Sequence, residues 1–142
     1  MQADYEYLKH TADAEFIAYG RTLEGSFVNA ARATFNLIVE PEKVKPSITK
    51  EIEVSGDELD YLLYDWISEL LFLFEVENLV FSKFEVSISR EGESYHLKGL
   101  AYGEKIDQER HNVALHIKAV TFHDLRVEKI NNFYESQVLL DI

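Results

Sequence analysis

The sequence has no cysteine, which removes both a disulfide framework and a thiolate zinc site and fits a reducing compartment. It has no run of about 18 apolar residues of the kind that crosses a bilayer as a helix. The first residues, Met1-Gln2-Ala3-Asp4-Tyr5, carry neither a basic start nor an apolar core. They do not read as a secretory signal, and the expected location is the cytoplasm. Positive charge is scarce: 14 Lys and Arg stand against 26 Asp and Glu, a formal net charge of −12. Binding to a phosphate backbone rests on Lys and Arg displacing counterions, so direct RNA or DNA binding is disfavoured. An acidic surface instead favours cations and basic partners. The chain also lacks a Gly-rich phosphate loop, a marked nucleophile, an internal repeat and a low-complexity tract.

What is present suits a single domain over residues 1–142. With 46% apolar and 13% aromatic residues, disorder is not expected, and a chain of this length buries roughly two-thirds of its unfolded surface. Residues 4–9 and 15–20 read as short strands flanking His10-Thr11-Ala12-Asp13-Ala14. Thr22 caps a first helix whose apolar positions are Leu23, Phe27, Ala30, Ala31, Thr34 and Ile38. Residues 40–46 form a loop, and Ile48, Ile52 and Val54 alternate as a strand. Ser55-Gly56-Asp57-Glu58 matches a capping box. It precedes a second helix with Leu59, Leu62, Leu63, Trp66, Ile67, Leu70, Leu71 and Phe74 on one face. From Leu79 the period becomes two. Strands are expected around Phe84–Ile88, Tyr95–Leu97, Leu115–Ala119, Leu125–Val127 and Tyr134–Leu140. Gly99 and Gly103 suggest a bulge or an early strand end, and residues 104–112 a loop. The predicted class is α+β: mostly antiparallel sheets with two packed helices.

Three segments could carry chemistry. His10-Thr11-Ala12-Asp13 falls between two strands, where functional residues concentrate, although an Asx-type turn explains the tetrapeptide equally simply and is preferred on local grounds. Leu139-Leu140-Asp141-Ile142 keeps a strand pattern to the last residue, and strand packing is the simpler reading of it. If held in place, it would gather the Asp141 carboxylate, main-chain carbonyls and the Ile142 α-carboxylate, an oxygen-only set suited to Ca²⁺ or Mg²⁺. Lys118-Ala119-Val120-Thr121-Phe122-His123-Asp124 offers Lys118 as a solvated residue or a cation beside carboxylates. It offers His123 as a ligand or a titrating group, with a structural His the commoner case. His96, His111 and His116 have no metal-like spacing.

Taken together, these blocks resemble the archease family over nearly the whole chain. The resemblance runs through Tyr7-Leu8-Lys9-His10-Thr11-Ala12-Asp13, Tyr19-Gly20-Arg21-Thr22-Leu23-Glu24 and Trp66-Ile67-Ser68-Glu69-Leu70-Leu71-Phe72. It continues in Lys118-Ala119-Val120-Thr121-Phe122-His123 and ends in Leu140-Asp141-Ile142. Phe122 stands where the family motif often has Tyr. Archeases are accessory factors of the RtcB-type tRNA-splicing ligase, a metal- and GTP-dependent enzyme that joins RNA ends. The resemblance therefore implies a non-catalytic protein that promotes guanylylation and repeated turnover of that ligase. It further implies a bound Ca²⁺ or another hard divalent cation, with Asp13, Asp141 and Ile142 as ligands. Lys118 would lie nearby, with His10 and His123 as further functional candidates. Two other classes stay open: a stand-alone metal-dependent hydrolase using the same carboxylates, and a general chaperone or adaptor. The second would need an exposed apolar patch, which the sequence does not announce, because its apolar residues follow the core periodicity.

Overall fold

The two periodicities of the sequence resolve into strands and helices in the computed structural model, which describes residues 3–8, 13–113 and 115–142. In chain order the described elements are β1 (Tyr5–Leu8), β2 (Asp13–Gly20), α1 (Leu23–Ile38), a 3-10 turn (Pro41–Lys43) and β3 (Ile48–Gly56). There follow α2 (Leu59–Glu77), β4 (Leu79–Glu91), β5 (Ser94–Lys105), α3 (Gln108–His111), β6 (Ala119–Val120), β7 (Arg126–Ile130) and β8 (Phe133–Asp141). All described strand pairs are antiparallel. One sheet runs β1-β2-β8-β6 with β7 also paired to β8, and the other runs β3-β5-β4. The α+β expectation holds, with two long helices and one short one.

Both long helices pack against both sheets. Helix α1 starts where Thr22 Oγ1 accepts from the Gly25 amide at 2.9 Å, an N-cap that satisfies one of the helix's unpaired donors. Its apolar stripe, Phe27, Ala30, Ala31, Phe35 and Ile38, is fully buried against β2, β8 and β4. The repeated alanines keep the helix close to the strands. Helix α2 buries Leu62, Leu63, Trp66, Ile67 and Leu70 completely, and the Trp66 indole donates to the Phe27 carbonyl at 3.0 Å. That bond meets the polar demand of a buried Trp and ties the helices together.

Several local expectations change. Asp13 lies in β2 and not in a connection, because the β2–β8 ladder continues to the pair Asp13 and Asp141. The capping box at Ser55 does not form. Ser55 remains in β3, with its hydroxyl 2.9 Å from His96 Nδ1 across the sheet, and the N-cap of α2 is Glu58, without a side-chain cap bond. Strand β5 passes through both glycines to Lys105. Gly99 is there because a Cβ would fall 2.4 Å from the Trp66 ring, and Gly103 because one would fall 1.8 Å from the Val80 carbonyl oxygen. The bulge is on the partner strand, between Phe81 and Lys83. The polar stretch 104–112 contains α3, started by Asp107 Oδ1 accepting from the Glu109 and Arg110 amides. The strand expected around Leu115–Ala119 shrinks to Ala119–Val120.

Candidate functional site

Alternation along β2 and β8 sorts their side chains onto two faces. Phe16, Ala18, Val138 and Leu140 enter the core beside the helices. Asp13, Glu15, Tyr19, Glu135, Gln137, Leu139 and Asp141 take the other face. The register sets Asp13 directly opposite Asp141 and Glu15 opposite Leu139. Directly opposed residues of an antiparallel pair project the same way, with Cβ atoms roughly 4.5–5.5 Å apart. Two carboxylates separated by 127 residues of chain are thus neighbours at the end of the larger sheet. Like charges in this position disfavour the pair by an amount on the order of 1 kcal/mol or less in solvent, unless a cation lies between them.

Strand β6 brings in the third sequence candidate. Ala119 pairs with Asp141 on the side away from Asp13, and the Lys118 amide donates to the Asp141 carbonyl at 2.8 Å. The backbone of Lys118 therefore reaches the site. Its side chain is exposed and, among the described residues, makes no ion pair with either aspartate; Lys118 instead lines a groove against α2. Ile142 follows directly and is partly buried against the core. His123 sits on the turn after β6, exposed, with its Nε2 3.6 Å from Asp124 Oδ2. His10 lies outside the described residues.

Beside the aspartates, the same face holds a polar network that residue spacing does not reveal. Glu15 is only 4% exposed, and its carboxylate accepts from Gln137 Nε2 at 3.0 Å. Gln137 Oε1 accepts from Arg126 Nε at 2.6 Å, and Arg126 also reaches Glu135 at 2.9 Å. Further along, the Tyr19 hydroxyl donates to Glu6 at 2.9 Å, and burial, then that bond, pushes the phenol up to about 12. Four strands, β1, β2, β8 and β7, are thus cross-linked on the face that carries the aspartate pair.

The aspartate pair suits a hard cation in chemistry but not in number. Carboxylate oxygens are the right donors for Ca²⁺. Yet among the described residues no group of three His, Cys, Asp or Glu side chains gathers to hold a metal ion. Two carboxylates give at most four of the roughly six to eight oxygens calcium takes. The remainder must come from main-chain or terminal oxygens, water or a partner.

A second cluster is structural. Glu104, 8% exposed, accepts from both terminal nitrogens of Arg110 at 2.7 and 2.8 Å and from the Lys45 amide at 2.7 Å. The Asp107 amide donates to His111 Nδ1, so the other ring nitrogen, 2.9 Å from Glu104, carries the proton and donates. Arg110 first, then the Lys45 and His111 bonds, hold the Glu104 carboxyl down at about 2. This clasp anchors α3 and the chain leading to β6.

Residues 5–142 match the archease protein family (MTH1598/TM1083). Protein archease of Methanosarcina mazei is 49% identical over 139 residues, covering 97% of this chain and 95% of that one. Protein archease of Pyrococcus abyssi is 41% identical over 139 residues, covering 97% and 98%. Among solved structures, Methanobacterium thermoautotrophicum protein 1598 superposes with a TM-score of 0.89 at 37% identity, covering 98% of this chain and 99% of that one. A Thermotoga maritima archease, described as a possible chaperone, shares the fold, with a TM-score of 0.59 at 21% identity over 95% and 94% of the two chains.

Proposed function

This chain belongs to the archease family, and we propose that it is a non-catalytic accessory protein that activates an RtcB-type tRNA-splicing ligase. In this reading the chain promotes the ligase's GTP-dependent guanylylation and its repeated turnover. The observation that carries it is the register of β2 on β8, which makes Asp13 and Asp141 immediate neighbours at a sheet end. That arrangement is a binding feature more than a catalytic one. The hydroxyls nearest to it are engaged: that of Thr121 donates to the Leu139 carbonyl at 3.0 Å, and Ser136 is buried on the core face, bonded to Ser26.

The aspartates and the Ile142 α-carboxylate would hold Ca²⁺ or another hard divalent cation. When bound, such an ion supplies a fixed positive centre that neutralises the opposed carboxylates. The residues themselves do the rest. The β2–β8 ladder holds the two carboxylates side by side. The Lys118 amide fixes the Asp141 carbonyl, and the Glu15–Gln137–Arg126 chain stiffens the face beneath. Because two side chains leave calcium's oxygen shell incomplete, the site is suited to completion by another molecule. An acidic protein does not compete for RNA but is attracted to an enzyme whose RNA channel is basic.

The test is ligation by the purified ligase with a pre-tRNA-like substrate in excess, with and without this chain. The reading expects products to exceed enzyme only when the chain is present. Equal product per ligase in both reactions would overturn it. Turnover of a small phosphoester by the chain alone, without ligase, would favour the stand-alone hydrolase instead.

A further inference from the structure

Helix α2 carries more apolar surface than its core face needs. Beyond the buried stripe, Tyr61, Phe72 and Val76 are 53%, 54% and 58% exposed. They are spaced by 11 and 4 residues, three turns and one, so they fall on a single stripe. Phe122, on the turn after β6 and 60% exposed, extends it. Its ring stacks on Tyr64 with centroids 4.1 Å apart and planes 8° from parallel, and meets Tyr61 edge-on at 5.8 Å. Four of the six large apolar side chains exposed among the described residues lie here, so the exposure is concentrated, the mark of an interaction surface. A groove of about 210 Å³ follows the stripe, lined by Phe72 and Val76 from α2 and by Lys118 and Ala119 from the sheet.

Acids interleave with the rings. Asp65 and Glu69 follow Tyr61 at one and two turns, on the same side of the helix, and make no ion pair among the described residues. Glu75, one turn before Leu79, lies 3.0 Å from His116. We propose that this α2–Phe122 face is a docking surface for a basic protein segment that presents arginines together with an apolar side chain. Arginine is the side chain that both stacks on aromatic rings and forks a carboxylate, and this face offers the two within one helical turn. The same acids argue against the other occupants. A second copy would set Asp65 and Glu69 against themselves across a two-fold axis, and a nucleic acid would meet carboxylates where it needs cations.

The face is also continuous with the aspartate end. Ala119 lines the groove and pairs with Asp141, so the groove's sheet-side wall is one strand away from Asp141 and two from Asp13. Naming the ligase as the natural occupant rests on the proposed function. The preference for a basic segment rests on the face alone.

Two measurements test it. In the first, fluorescence anisotropy follows a labelled amphipathic peptide of arginine and leucine, with a glutamate–leucine peptide as control. The chain is expected to bind the first and not the second. Phe72→Ser with Val76→Ser, and separately Asp65→Lys with Glu69→Lys, are expected to weaken binding about tenfold or more. Glu51→Lys with Glu53→Lys on the smaller sheet changes charge equally and is expected to leave binding within about twofold, because exposed charges more than a Debye length from the bound peptide are largely screened. All of these side chains are exposed or partly exposed, and circular dichroism checks each fold. Equal binding by the α2 variants would overturn the inference. So would a dimer that the α2 variants abolish, or equally tight binding of reduced, carboxymethylated α-lactalbumin, an acidic unfolded client.

In the second, the concentration of chain giving half-maximal ligase guanylylation is expected to rise about tenfold in Phe72→Ser/Val76→Ser, with the saturating rate unchanged. Peptide binding that depends on the stripe, with no effect on ligase, would uphold the docking surface and count against the ligase as its occupant.

Discussion

Asp13 and Asp141 are direct cross-strand partners on the face of the larger sheet that points away from the helices. Two neighbouring carboxylates repel without a counter-ion, so their removal and their neutralisation have opposite consequences for ion dependence. Asp13→Asn is expected to leave the melting temperature without divalent ions equal to or slightly above the unsubstituted chain's. It is also expected to abolish any rise on adding Ca²⁺. Differential scanning fluorimetry against calcium reads both, and a ligand at 100 times its dissociation constant adds about 2.7 kcal/mol to the unsubstituted chain.

The contribution proposed for the Ile142 α-carboxylate can be tested apart from that of the aspartates. Residues appended after Ile142 replace its α-carboxylate by a neutral amide, whereas residues added before Met1 do not. The C-terminal extension is expected to weaken calcium binding by titration calorimetry, and the N-terminal one to leave it unchanged. Equal affinities would restrict the ligands to Asp13 and Asp141.

Much of the fold is readable in the sequence because local chemistry and tertiary structure agree there. Thr22 caps α1, the broad apolar face of α2 is its buried face, and period-two alternation locates the later strands. Failures occur where a distant partner decides. Ser55 is drawn to His96 across the sheet and not to the helix. Gly103 marks where the β4 backbone comes close and not where β5 ends. The site was legible only as two separate ends: nothing local in Asp13 or Asp141 says that β2 and β8 are neighbours, and only a whole-chain resemblance joins them. The α2 stripe was legible in principle, since Tyr61, Phe72 and Val76 repeat at helical spacing outside the core set. It was hidden because an apolar count does not distinguish a second stripe from a wider first one.

The glycines of β5 give the packing a direct test. Gly103→Ala places a Cβ against the backbone of Val80, which cannot move aside, and Gly99→Ala places one against the edge of a buried Trp66. Overpacking of a filled core costs roughly 1–3 kcal/mol, and Gly103→Ala is expected to be the more damaging. Urea denaturation of both variants measures the order; a neutral Gly103→Ala would mean that β4 and β5 are not packed at this distance.

Glu104 sets an acid limit on the clasp. Its folded carboxyl titrates at about 2 against an ordinary value of 4.5. A depressed carboxyl stabilises the folded state fully above the ordinary value and loses that contribution as pH falls from about 4.5 towards 2. Glu104→Gln should cost roughly 1–3 kcal/mol at neutral pH, with a shallower decline of stability over that acid window. Parallel slopes for the two proteins between pH 4.5 and 2 would show that Glu104 is not held by Arg110 in solution.

The measurement that bears most directly on the whole account is single-turnover guanylylation of the ligase, with GTP and divalent metal, in the presence of the unsubstituted chain, Asp13→Ala or Asp141→Ala at saturating concentration. The account predicts that the unsubstituted chain accelerates formation of the ligase–GMP adduct. Each variant, verified as folded, should return the rate close to that of ligase alone. Acceleration by both variants equal to that of the unsubstituted chain would contradict it.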